Sequence, residues 1–239
     1  MKQWQIIAGA VALSLVAGTA IVLGHKLFGP DAAPGSTQAD HTGIPLPWQI
    51  TAHPDGSSQA LGLTLGTGSD GSTLGDARQR FGVDTQIAII AAPGEDGTLE
   101  AFVDPAQAGF IAGKLVITAE LPAATLRAMR ERAPKAEFME STTRKYRLHP
   151  DDEAQALQAR IVALSFIPQA GLDADIVLAR FGQPAQRVRS NGHLEHFLYP
   201  ERGLDVILDT EGKELLQYVA PRNFQRLRAP LQAASGASR

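Results

Sequence analysis

The residues able to do chemistry are few and scattered. The chain has no Cys, which removes a thiol nucleophile, disulfides, thiolate-held zinc and a lipidated N-terminal Cys. Its His residues fall at 25, 41, 53, 149, 193 and 196. His193 and His196 flank Glu195, but in a strand alternate residues face opposite sides, so the pair cannot share one metal. No Ser lies in the G-x-S-x-G elbow that would make it a nucleophile. The run Asp151-Asp152-Glu153 reads as carboxylates favouring a helix N-terminus. Gly66-Thr67-Gly68-Ser69-Asp70-Gly71 satisfies a dinucleotide fingerprint, yet the strands after it look hairpin-linked, not parallel, which favours a plain loop. His53-Pro54-Asp55 and His149-Pro150-Asp151 match a co-chaperone tripeptide without its long flanking helices, and fit helix starts better. The expectation is a protein with no catalytic residues, no metal and no cofactor.

Charge points to a different kind of chemistry. Residues 48–239 hold 20 Lys and Arg against 23 Asp and Glu, so a phosphate-neutralising groove and a nucleic-acid partner are not expected. Against this mildly acidic background two basic runs stand out. One holds Arg127, Arg130, Arg132 and Lys135, the other Arg222, Arg226 and Arg228. Arg127, Arg130, Arg222 and Arg226 are candidates to pair with carboxylates or phosphates of a partner.

The elements that position these residues begin with an apolar run. Trp4 to Gly24 carries no charge over 21 residues. At roughly 1.5 Å per residue such a helix would match a hydrocarbon core of about 30 Å. It reads as an uncleaved signal-anchor (residues 1–24) of a single-pass inner-membrane protein of a diderm bacterium, with the C-terminal bulk in the periplasm; the rival reading is a signal peptide cleaved after Ala20, with Gly18 and Ala20 as its small residues. Ala10, Ser14 and Gly18 recur every fourth residue, a stripe of small side chains where a second helix could pack, as in a homodimer. Residues 25–47, with four Pro and three Gly, read as a stalk, and residues 232–239 as a disordered tail.

The rest repeats itself. His53-Pro54-Asp55, Arg80-Phe81-Gly82, Leu99 to Pro105, Gly113-Lys114 and Pro122 return as His149-Pro150-Asp151, Arg180-Phe181-Gly182, Leu194 to Pro200, Gly212-Lys213 and Pro221. The order is kept, at offsets of 95 to 100 residues. Two modules follow, 48–135 and 143–231. Each has a short helix (Thr73 to Phe81; Asp173 to Phe181), then strands, then a basic helix after its Pro. The fold class is therefore α+β, with tandem modules of short helices packed on small antiparallel sheets, behind an N-terminal transmembrane helix.

Gly171-Leu172-Asp173, Val177, Phe181-Gly182 and Pro184 fit the pattern G-[ML]-[TD]-x-x-x-V-x-x-x-[LF]-G-x-P. Gly71, Thr73, Ala77, Phe81 and Gly82 keep most of it in the first copy, which lacks the Pro. This resembles the SmpA/OmlA family, that of the small lipoprotein E subunit of the outer-membrane β-barrel assembly machinery, over about 60 residues of each module. The resemblance implies a fold. It assigns no ligand-binding residue, and the family's lipidated Cys is missing. The function expected is a membrane-anchored, non-catalytic protein-interaction or scaffold protein of the cell envelope, binding another envelope protein or membrane complex. Alternatives are an accessory subunit of an inner-membrane complex and an envelope hydrolase with an unrecognised site.

Overall fold

A computed structural model describes residues 43–66, 70–139, 142–190 and 192–236. Thr51–Ala52 (β1), Ser58–Ala60 (β2) and Leu63–Leu65 (β3) form a three-stranded antiparallel sheet. Helix α1 (Leu74–Phe81) follows, then Gln86–Ala91 (β4), Thr98–Ala108 (β5) and Ile111–Glu120 (β6), then α2 (Ala123–Glu131). A short hairpin comes next, Ala136–Phe138 (β7) with Arg144–Arg147 (β8), then α3 (Glu153–Leu157), Arg160–Pro168 (β9) and α4 (Ala174–Phe181). The chain ends in Gln186–Ser190 (β10), Leu194–Tyr199 (β11), Leu204–Asp209 (β12), Leu215–Val219 (β13) and α5 (Gln225–Gly236).

Ten of the strands make one antiparallel sheet, in the order β10-β11-β12-β13-β9-β6-β5-β4-β8-β7. This overturns the expected fold class: there are not two modules each packing helices on a small sheet of its own. The join lies between β6 and β9, which pair from Gly113↔Pro168 to Glu120↔Arg160. Both strands are apolar on both faces (Leu115, Val116, Ile117; Leu164, Phe166, Ile167), so either left as an edge would expose a template for aggregation. Pairing them removes both edges. Gly113 is required there, because a Cβ would stand 2.5 Å from the Ile167 carbonyl and the Phe166 ring.

Strand alternation gives the sheet two distinct faces. On the first, Leu99, Ala101, Val103, Leu115, Ile117, Leu164, Phe166, Leu216, Tyr218, Val206 and Phe197 form one core with Leu74, Ala77 and Phe81 of α1, Leu126 and Met129 of α2, and Val177 and Phe181 of α4. Thr73 caps α1 in a reciprocal box with Asp76, and Asp173 caps α4 through the Ile176 amide at 2.8 Å. Each helix ends in a buried Phe followed by a glycine at positive φ, Gly82 at 104° and Gly182 at 79°. On the second face Leu227 and Leu231 of α5 cover Leu198 and Val219, while Val116, Ile167, Ile207 and Leu215 form a separate cluster.

The repeated tripeptides do not occupy like positions. His53-Pro54-Asp55 makes a turn held by Ser57 on Asp55, whereas His149 caps a 3-10 turn over Pro150–Asp152 that leads into α3. Gly113 lies inside β6 and Gly212 in the β12–β13 turn. Two boundaries move as well. The last residues of the expected stalk are packed: Ile44 is buried, and the Pro47 carbonyl accepts from the Tyr218 hydroxyl at 3.0 Å. Helix α5 runs through Gln232 to Gly236, where a disordered tail was expected.

No described helix is long and apolar enough to cross a membrane. The span expected at residues 4–24, with its stripe Ala10, Ser14 and Gly18, lies outside the described residues. The signal-anchor, the single-pass inner-membrane placement and the periplasmic location rested on that span alone. They are withdrawn.

Candidate functional site

Strand β8 reads Arg-Lys-Tyr-Arg, and alternation sends Arg144 and Tyr146 to one face of the sheet, Lys145 and Arg147 to the other. Tyr146 packs against the main core, with the Arg130 guanidinium 5.8 Å from its ring centre. On the opposite face Lys145 stands in register with Glu137 of β7 and Ile90 of β4, and Arg147 with Ala88. The Lys145 ammonium donates to Gln86 Oε1 at 3.4 Å, and Lys135, just before β7, is ion-paired to Glu137. Gln86, Ile87, Lys135, Glu137, Lys145 and Arg147 line a cleft of about 320 Å³. Three cations face one carboxylate.

The electrostatics follow from that imbalance. Glu137 is held below the usual carboxylate range, first by its hydrogen bond from Lys135 and then by Lys145 and Arg147. Lys145 is lowered to about 8, mainly by burial; Arg147 and Lys135 add to the effect, and Glu137 opposes it. The cleft is short of negative charge.

This cleft adjoins a sheet edge, since β7 ends the strand order. The Arg147 amide donates to the Lys135 carbonyl and the Met139 amide to the Thr143 carbonyl. By the alternation of antiparallel ladders, the N–H and C=O groups of Ala136 and Phe138 therefore point away from β8. Both residues are exposed, Phe138 to 65%, and the Arg144 guanidinium lies 4.3 Å from the Phe138 ring centre.

A second constellation sits at the other end of the sheet. Ser190 Oγ is 2.7 Å from His196 Nε2, and His196 Nδ1 is 2.7 Å from Asp205 Oδ2. The three residues come from β10, β11 and β12 and share the face covered by α5. His196 and Asp205 are buried, while Ser190 keeps some surface. Burial raises the Asp205 carboxyl, and its Oδ1 has no hydrogen-bond partner among the described residues. With Asp205 ionised the chain can draw a proton from the Ser190 hydroxyl, the arrangement of a nucleophilic serine. The cleft of 320 Å³ does not touch it.

Of the arginines expected to bind a partner, Arg127 and Arg130 are hydrogen-bonded within the chain. Arg127 pairs with Asp96 at 2.8 Å, and Arg130 donates to the Glu95 carbonyl at 2.5 Å, so both hold the β4–β5 turn to α2. Arg226 lies 3.8 Å from Glu120. The Arg222 amide donates to the Gly56 carbonyl, and its charge helps to lower Asp55, after the hydrogen bonds from Ser57. His193 lies outside β11, so strand alternation does not govern it, and it bonds Asp209 at 2.8 Å while His196 bonds Asp205. No group of three or more potential metal ligands occurs among the described residues.

Sequence reasoning missed both constellations. Lys135 to Phe138 and Arg144 to Arg147 were there to be read as an alternating hairpin, but the boundary between the expected modules, 135 to 143, cut through it. The pairing of Ser190 with Leu194 brings His196 into diagonal reach, yet Asp205 joins only through the β11–β12 register. No family model, curated protein or solved structure matches this chain, so the likeness to SmpA/OmlA rests on its sequence motif alone.

Proposed function

We propose that the protein is a non-catalytic binding module that takes an extended segment of another protein as an added strand along β7. The observation that supports this reading is the outward-facing backbone of Ala136 and Phe138 beside an open cleft. Main-chain hydrogen bonds would supply affinity, and pockets for alternate side chains would supply selectivity. Ala136→Pro tests it, because Pro removes an outward N–H and leaves the β7–β8 bonds in place. Peptides selected by display on the full chain are expected to lose binding to this variant. Selected peptides that bind it equally well would refute the reading.

The Ser190-His196-Asp205 chain favours a second reading, a hydrolase with Ser190 as nucleophile. A fluorophosphonate probe separates the two. Labelling that vanishes in Ser190→Ala and His196→Ala would establish the hydrolase, and absence of labelling leaves the three residues as a buried polar brace between β10, β11 and β12.

A further inference from the structure

Resting on the edge-strand reading, we infer that the segment captured by β7 is an acidic peptide with carboxylates at alternate positions and apolar residues between them, and not a second copy of this chain. A strand laid along β7 would place its alternate side chains on the two faces of the sheet. On one face the residue opposite Lys135 meets that ammonium, with Arg147 directly behind it, since the Arg147 amide bonds the Lys135 carbonyl. Lys145 extends the cation row behind Glu137, whose carboxylate is already engaged by Lys135. An Asp or Glu there would lie at the β7 side of the cleft and supply the negative charge it lacks. On the other face the incoming residues lie beside Phe138, 65% exposed and backed by the Arg144 guanidinium at 4.3 Å. An apolar side chain there covers the ring.

The same charges argue against self-association. Pairing β7 with a second β7 would bring two clefts together, each with three cations to one carboxylate, and would supply neither with the negative charge it lacks. Burial disfavours the charged form of Lys145, Arg147 and Lys135 add to this, and Glu137 opposes it. A bound carboxylate would restore that charge. Affinity is therefore expected to fall as pH rises above about 8.

The test uses two extended peptides of equal length, one alternating Glu with Val and one alternating Gln with Val, titrated onto the full chain at low and at moderate salt. The Glu peptide is expected to bind on the order of tenfold more tightly than the Gln peptide, an advantage that salt reduces. Lys135→Gln with Arg147→Gln should abolish that advantage. Hydrogen exchange on the unmutated chain reports the edge without relying on a variant that fails to fold: the amides of Ala136 and Phe138 should become protected when the Glu peptide binds. Equal binding of both peptides with protection of these amides would refute the acidic partner and spare the edge reading. Binding of the Glu peptide without such protection would refute the edge itself. A dimer that both peptides fail to compete away, with the same two amides protected in the free protein, would replace the peptide by a second copy.

Discussion

Replacing Glu100 by Gln is expected to stabilise the protein, by an amount that depends on pH. Glu100 lies on β5 between Ala88 and Thr118, on the face opposite the main core. The residue keeps some surface, but its carboxyl is enclosed, and burial raises it from 4.5 to about 7 against the opposing hydrogen bond from the Thr98 hydroxyl at 2.9 Å. The enclosure of the carboxyl governs the titration. The direction of the pH effect follows from proton counting. Well below pH 4.5 the group is protonated in both the folded and the unfolded chain and contributes no pH dependence. As pH rises towards 7 the folded chain holds the extra proton, so stability falls, and above 7 the loss is complete. A carboxyl with these two ionisation points costs about 3 kcal/mol when fully charged. Gln keeps the shape, still accepts from Thr98 and never ionises. Urea unfolding of both proteins between about pH 4 and pH 8.5 should therefore show curves that meet in acid and separate by about 3 kcal/mol above neutrality. Carbon NMR of the labelled side chain would place its midpoint directly. A midpoint near 4.5, or a difference between the proteins that is constant with pH, would refute the reasoning.

Other outcomes follow from packing. Phe81→Ala and Phe181→Ala should each destabilise by about 3–5 kcal/mol in chemical unfolding, because both rings end the buried face of their helices and Phe181 also meets Trp48 and Tyr199. Gly113→Val should prevent native folding or leave β6 and β9 unpaired, seen as lost amide protection along both strands, since its Cβ would overlap the Ile167 carbonyl. Asp205→Ala should cost about 3 kcal/mol or more in unfolding free energy by leaving His196 buried without its partner, while Ser190→Ala, at the more open end, should cost under about 1 kcal/mol.

Several local features were legible in the sequence. Thr73 and Asp173 announced two helix starts, Phe81-Gly82 and Phe181-Gly182 two helix ends, and alternating apolar residues most of the strands, because caps, turn glycines and periodicity act over a few neighbouring residues. The apolar faces that later became the core were visible for the same reason. Which strands pair was not. Nothing between Ile111 and Pro168 states that β6 must accept β9 from beyond two helices and a hairpin, and that single pairing turned two expected sheets into one. The site depended on the same kind of long-range event. Lys145 and Arg147 become a cationic cleft only once β8 lies between β4 and β7, and Ser190, His196 and Asp205 meet only across three registered strands. Composition and spacing specify what each segment can be. The burial of both faces of β6 and β9 decides where the segments go, and that free energy belongs to no segment alone.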